Sequence, residues 1–318
     1  MTRLDQPVSE SLSSRSDATG QTARRLESRE VPLGGIRGIV VHRSLPQRTL
    51  PMVGAWCFLD RFDDEEVGMK VLPHPHTGLQ TVTWPVEGSI RHRDSVGSDV
   101  AVEPGELNIM TSGYGISHSE FSLDPAGSPL RGLQLWVALP RDVADIDPFF
   151  ERHTELPVYR ADGLTASVLV GRLGDVVSEA TVFTPLVGAD AVIDAGARVT
   201  LPLEGHYEYA VMVLSGTLEV AGESLTRGPL LYLGPERESL DVASADGCRF
   251  VLLGGVPFAE ELIMWWNFVA RSHEEIVSAR DAWESRSIRF GSVEGHGGER
   301  IPAPPLPGVR LTPRRRQS

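Results

Sequence analysis

The sequence predicts an all-β fold: two tandem antiparallel β-sandwich or barrel domains followed by a short C-terminal helix. Three observations lead there. Short runs rich in β-branched and aromatic residues, such as Thr81-Val82-Thr83-Trp84 and Asp99-Val100-Ala101-Val102, are ended at close intervals by turn signals such as Glu87-Gly88 and Pro104-Gly105. The rhythm occurs twice. Val213-Leu214-Ser215-Gly216-Thr217-Leu218 sits in its half as Pro85-Val86-Glu87-Gly88-Ser89-Ile90 sits in the first, each followed by a Gly-Pro or Pro-Gly turn, which reads as a degenerate internal repeat. After Pro257 the apolar period becomes helical.

Taken in chain order, residues 1–28 are rich in Ser, Thr, Asp and Arg with almost no hydrophobic periodicity, which predicts a disordered segment. Residues 29–155 form the first β domain and residues 156–290 the second. In the second, strands are expected over 209–214, 217–220, 230–233 and 249–253, separated by Ser215-Gly216, Ala221-Gly222 and Gly228-Pro229. Ser272-His273-Glu274-Glu275 has the form of a capping box ahead of Ile276, Ala279 and Trp283 at helical spacing, so a helix is expected near 273–285. Residues 291–318 are Gly- and Pro-rich and read as an irregular or disordered tail that ends in Arg314-Arg315-Arg316, a solvated cluster.

With 318 residues the chain can bury two cores without covalent staples. It has only two cysteines, Cys57 and Cys248, and residues 1–16 lack the apolar run of a signal peptide, so a reducing, cytoplasmic setting is expected. The most apolar stretch, 250–270, is interrupted by Gly254-Gly255, Pro257 and Glu260-Glu261 and does not read as a membrane span. Formal net charge is −13, with 43 acidic against 30 basic residues, and Lys70 is the only lysine. Such a balance opposes direct nucleic-acid binding, which depends on phosphate neutralisation.

Two histidine-bearing pairs carry the chemistry: His74 with His76 in Pro73-His74-Pro75-His76, and His118 with Glu120 in His118-Ser119-Glu120. Residues two apart on a strand share a face, so the pairs can converge from two strands on one mononuclear metal. The prolines favour an extended backbone around His74. Ser112-Gly113-Tyr114-Gly115-Ile116 supplies a turn that leads into the second pair. Ordinary histidines on a polar strand face are the alternative, and a single His-x-His would not outweigh it; two matched pairs do. Three imidazoles and one carboxylate leave part of an octahedral metal open, which suits Fe(II), Mn(II) or Ni(II), whereas a thiol-free set is unlike structural zinc.

His206-Tyr207-Glu208 echoes the spacing in the second half, yet the segment after Gly228-Pro229 supplies no second pair, so one metal per chain is expected. Trp265-Trp266, among Leu262, Ile263 and Phe268, reads as packing.

The run His74-Pro75-His76-Thr77-Gly78, then Glu87-Gly88-Ser89-Ile90-Arg91-His92-Arg93-Asp94-Ser95, Pro104-Gly105-Glu106, and Met110-Thr111-Ser112-Gly113-Tyr114-Gly115-Ile116-Ser117-His118-Ser119-Glu120, resembles the pirin family of the cupin superfamily. The likeness is specific over about 35–140; over 160–290 only the two-cupin layout supports it. It implies an N-terminal cupin that binds one iron through His74, His76, His118 and Glu120, with Ni, Mn, Cu or Zn as other occupants. It also implies either a quercetin 2,3-dioxygenase acting on a small flavonol or enediol with dioxygen, or, as in animal pirins, an iron-dependent nuclear co-regulator acting through a protein partner. In the enzymatic case Glu120, the only carboxylate of the set, is the proton acceptor from the substrate hydroxyl. Two features stand apart. Gln80 occupies the position where general cupins carry a ligand glutamate, and His92 follows the family pattern but reads as a hydrogen-bonded strand or turn histidine outside the site. A monomer is expected, since two cupin units cover each other's sheets.

Overall fold

The computed structural model describes residues 13–16, 22–32, 40–64, 68–125 and 127–313. Two β domains follow one another, each built from antiparallel strands. In the first, a seven-stranded sheet runs in the order Phe149–His153, Leu107–Thr111, Leu79–Glu87, Leu130–Ala138, Trp56–Asp64, Val40–Leu45, Arg29–Pro32. A four-stranded sheet in the order Lys70–His76, Ile116–Ser122, Ile90–Asp94, Asp99–Val102 completes that domain. Val158–Ala161 already belongs to the large sheet of the second domain, whose central strands include Glu208–Val220 and Cys248–Gly255.

Side-chain alternation on the seven-stranded sheet decides where the functional residues point. Val82, Trp84, Leu107, Ile109, Leu133 and Leu135 are buried in one apolar cluster with Met212, Leu230, Val251 and Leu253 of the second domain. Each fully buried apolar side chain of this size stabilises by roughly 1.5–3 kcal/mol, so this shared core fixes that face of the sheet against the second domain. By the two-residue period of a strand, Thr81, Thr83, Asn108 and Gln134 look the other way, into the first domain's interior. Directed hydrogen bonds reinforce the junction: Trp56 Nε1–H donates to Val187 O (3.1 Å), and Trp84 Nε1–H to Asp190 Oδ2 (2.8 Å).

Two sequence expectations meet differences. The N-terminal segment read as disordered contains the strands Ser13–Ser16 and Thr22–Leu26; the latter pairs with Leu230–Gly234 and buries Ala23 and Leu26. Two apolar residues give no readable period, and the strand forms because an open sheet edge offers it backbone hydrogen bonds. Residues 1–12 and 17–21 lie outside the described residues. The two strands expected over 209–214 and 217–220 are one strand, Glu208–Val220, with a register shift between Val213 and Ser215. Gly216 there has φ 80°, and a Cβ would stand 2.2 Å from Gly247 O, so the glycine serves a bulge rather than a turn.

The stretch after Pro257, read by sequence as part of the second domain, makes contacts with the first. Val269 N–H donates to Thr77 O (3.0 Å), and the Ser117 hydroxyl to Phe290 O (2.8 Å). The helix His273–Glu284 starts as read, with the Ser272 side chain accepting from Glu275 N–H at 3.2 Å and Ile276, Ala279 and Trp283 buried. Trp265 and Trp266 are partly buried and pack against that apolar cluster. Residues 291–313 are irregular but attached: Ile301 N–H donates to Pro73 O (2.9 Å), and Ile301 O accepts from Trp283 Nε1–H at 2.9 Å. Arg314-Arg315-Arg316 lies outside the described residues. The helix is too short and polar to cross a membrane, and no other described helix is long and apolar enough.

Candidate metal centre

Both segments that carry the candidate ligands fold as adjacent antiparallel strands, Lys70–His76 and Ile116–Ser122, with His118 directly opposite His74 and Ile116 opposite His76. A register shift between His118 and Glu120 places Glu120 opposite Val71. The extra residue lies in Lys70–His76, while Ile116–Ser122 keeps regular register with Ile90–Asp94, so His118 and Glu120 share one face by ordinary strand alternation.

The three imidazoles converge. Ring centroids are 5.0 Å apart for His74–His76, 4.4 Å for His74–His118 and 4.9 Å for His76–His118, and His76 Nε2 stands 3.0 Å from His118 Nε2. One nitrogen from each of His74, His76 and His118 lies within 4.8 Å of the others. Glu120 falls in a second, overlapping group of the same span with His118 and His92, so it joins the triad through His118.

Burial sets the electrostatics of all four. It pushes the His74 imidazole down to about 4, and His76 and His118 well below the ordinary histidine range, with the neighbouring histidines adding to the effect. These rings are therefore neutral near pH 7, the form that ligates metal. His74 Nδ1–H donates to Leu72 O (2.9 Å), which leaves its Nε2 lone pair free for the site. Burial raises the Glu120 carboxyl, opposed by His92 and by the Thr83 hydroxyl, which lies 3.2 Å from Glu120 Oε1. Three neutral nitrogens beside a buried carboxylate that has no salt-bridge partner among the described residues are a donor set that a divalent cation would satisfy, and in that sense the residues fit one.

His92, left outside the site by sequence, is part of the cluster. It sits directly opposite Glu120 across the strand pair, and its Nδ1 is 3.4 Å from His118 Nδ1. Its Nε2 lies 3.0 Å from Asp94 Oδ2, so a carboxylate holds the ring in place, and Phe150 stacks on it at 4.6 Å. The signal available in the sequence was the i, i+2 pair His92 and Asp94, the same spacing as the two ligand pairs.

Gln80 does not approach the ligands. Its Nε2 donates to Thr111 Oγ1 and to Thr181 O, both at 2.9 Å, on the face directed at the second domain. His206 and Glu208 are parted by their surroundings: His206 is exposed in a turn, while Glu208 is fully buried and accepts from Gly54 N–H and the Tyr232 hydroxyl, both at 2.6 Å. A groove of about 340 Å³ lined by residues including Met52, Gly54, Phe258 and Leu262 contains none of the candidate ligands.

Comparison with known proteins agrees with this layout. Residues 38–137 match the family model described as Pirin, and residues 188–291 match the model of the Pirin C-terminal cupin domain. A Pseudomonas aeruginosa protein that carries the provisional name quercetin 2,3-dioxygenase is 42% identical over 89% of this chain and 90% of its own length. Human pirin is 31% identical over 76% of this chain and 85% of its own. Among solved structures, a quercetin 2,3-dioxygenase from Acinetobacter baumannii superposes with a TM-score of 0.85 at 38% identity, covering 91% of this chain and 98% of that one.

Proposed function

The chain belongs to the pirin family, and from that premise we propose that it is a mononuclear metalloenzyme that cleaves quercetin or a related flavonol or enediol with dioxygen. The observation that carries the reading is the convergence of three neutral imidazoles beside a buried carboxylate. His74, His76, His118 and Glu120 would hold the metal, Fe(II) in first place, with Ni, Mn, Cu or Zn as other occupants. When bound, the metal supplies a Lewis acid for the substrate oxygen and a site at which dioxygen and substrate meet.

The chain's own residues do the rest. Glu120 takes the proton of the substrate's 3-hydroxyl; its burial raises its basicity above that of a solvated carboxylate and so favours the transfer. Thr83 steadies Glu120 Oε1, and Asp94 steadies His92 at the back of His118. Trp136, 5.2 Å from the His76 ring and stacked on Phe58 at 3.9 Å, gives the site an apolar wall that keeps water from the reacting atoms. Quercetin and dioxygen would yield the ring-opened depside and carbon monoxide, a stoichiometry that consumes no further reductant.

Oxygen uptake and carbon monoxide release with a panel of flavonols, on protein of measured metal content, test the reading. A fully metallated protein inert to the panel overturns it. The likeness to human pirin favours a second reading, an iron-dependent regulator acting through a protein partner, and that inert result would shift weight to it. With net charge −13, the partner of such a regulator would be a protein rather than a nucleic acid.

A further inference from the structure

Strand pairing lays two parallel rows of side chains across the face of the seven-stranded sheet that looks at the candidate ligands. One row pairs Phe150 with Met110, Met110 with Thr81, Thr81 with Trp136 and Trp136 with Phe58. The next row, two residues along, pairs Asn108 with Thr83 and Thr83 with Gln134. Residues directly opposite across antiparallel strands point to the same face. The first row meets the imidazoles: Phe150 stacks on His92 and Trp136 stands edge-on to His76. The second meets the carboxylate through Thr83, 3.2 Å from Glu120 Oε1 and 3.0 Å from Gln134 Oε1. Apolar and polar rows thus lie side by side under the same site.

The polar row is incompletely paired. Asn108 is 2% exposed, yet among the described residues neither its Nδ2 nor its Oδ1 has a hydrogen-bond partner, and Gln134 Nε2 is also without one. The Thr83 hydroxyl has one proton for two acceptors, so it satisfies Glu120 or Gln134 at a given moment but not both. A buried primary amide left without partners is destabilising, and sheets normally place an apolar residue at such a position. Leu107 and Ile109, on either side of Asn108, are such residues on the opposite face.

We propose that the Asn108 and Gln134 amides form the binding wall for the ring hydroxyl and carbonyl oxygens of the substrate, and so select polyoxygenated over plain aromatic molecules. The inference rests on the reading above that a small molecule enters beside His118 and Glu120, and it names the part of the protein that recognises its polar edge. Flat rings lie along the apolar row, while their oxygens accept from the two amide NH2 groups and donate to Asn108 Oδ1. Neither residue is a metal ligand or a proton carrier.

The test is equilibrium binding of quercetin and of unsubstituted flavone, followed by tryptophan fluorescence on protein of measured metal content, for wild type, Asn108→Leu and Gln134→Met. Wild type is expected to prefer quercetin. Each near-isosteric variant is expected to weaken quercetin about tenfold, the scale of one lost buried hydrogen bond, while flavone affinity and metal content stay unchanged. Asn108→Leu is also expected to leave the melting temperature equal or higher, since no protein contact is lost. Equal changes for both ligands, no change for either, or a wild type without the preference overturns the proposal, as does a marked fall in melting temperature, which would mean that the amide holds the fold through bound water. Absence of oxygen uptake with the preference intact would break the dioxygenase reading and support the binding wall.

Discussion

His118-Ser119-Glu120 in the first domain and His206-Tyr207-Glu208 in the second have the same spacing, but the structure gives them different surroundings. His118 and Glu120 are both buried, and a partner strand brings His74 within 4.4 Å of the His118 ring. His206 is exposed in a turn before its strand begins, so only Glu208 enters the interior. The carboxylates differ as much as the histidines. Glu208 receives Gly54 N–H from the other domain and the Tyr232 hydroxyl, which satisfy both oxygens and leave little for a cation. Among the described residues, Glu120 receives the Thr83 hydroxyl, which it shares with Gln134. Spacing selects candidates; the convergence of their lone pairs tells them apart.

The largest effect should come from breaking the histidine half of this comparison. His118→Ala removes a ring that stands 3.0 Å from His76 Nε2 and touches His92, so metal content should fall by at least about tenfold and oxygen uptake should drop to background. His206→Ala should leave both unchanged. Elemental analysis of the two variants decides the matter: equal metal loss would mean that the second domain holds a site after all.

Next come the carboxylates. Glu120→Gln should retain part of the metal, because the imidazoles remain, yet lose turnover. Full activity in that variant would remove Glu120 as the proton acceptor. Glu208→Gln should do the reverse, keeping metal and activity but destabilising the fold by about 1–3 kcal/mol in urea titrations, since an amide cannot accept through its NH2 from Gly54 or Tyr232. A stability change in Glu120→Gln as large as in Glu208→Gln would erase the distinction.

How much of this could be read in the chain depends on whether the signal is local. Strand period, the turn at Gly113, the proline-bracketed histidines and the capping box are local, and from them came the two β domains, the helix and both candidate ligand pairs. The place of His92 is not local. It joins the cluster because the strand Ile90–Asp94 pairs in register with Ile116–Ser122, and nothing within either segment fixes that register. The same holds for Gln80, whose face is decided by which side of its sheet meets the second domain, and for Asn108 and Gln134, which are unremarkable polar residues until paired around Thr83. Strand Thr22–Leu26 escaped notice because its stability is supplied by the edge to which it adds.

The smallest expected effect concerns the back of the ligand strand, where the two domains differ again. Ser119 alternates with His118 and Glu120 and so faces outward, where its hydroxyl lies 2.9 Å from His296 Nε2 in the irregular C-terminal segment; Ser117, on the same side, donates to Phe290 O. Among the described contacts of Tyr207, its counterpart between His206 and Glu208, are its neighbours His206 and Tyr209 rather than any residue of that segment. The C-terminal segment therefore backs the strand that carries the candidate ligands. Ser119→Ala removes one partly buried hydrogen bond and should cost about 0.5–1.5 kcal/mol of stability, with metal content retained. His296→Ala should cost somewhat more, because its ring also stands edge-on to Phe121 at 5.2 Å, and the double variant little more than His296→Ala, because both remove the same bond. Additive losses in urea titrations would mean that the two side chains act separately; loss of metal in Ser119→Ala would mean that the outer face sets the geometry of the inner one.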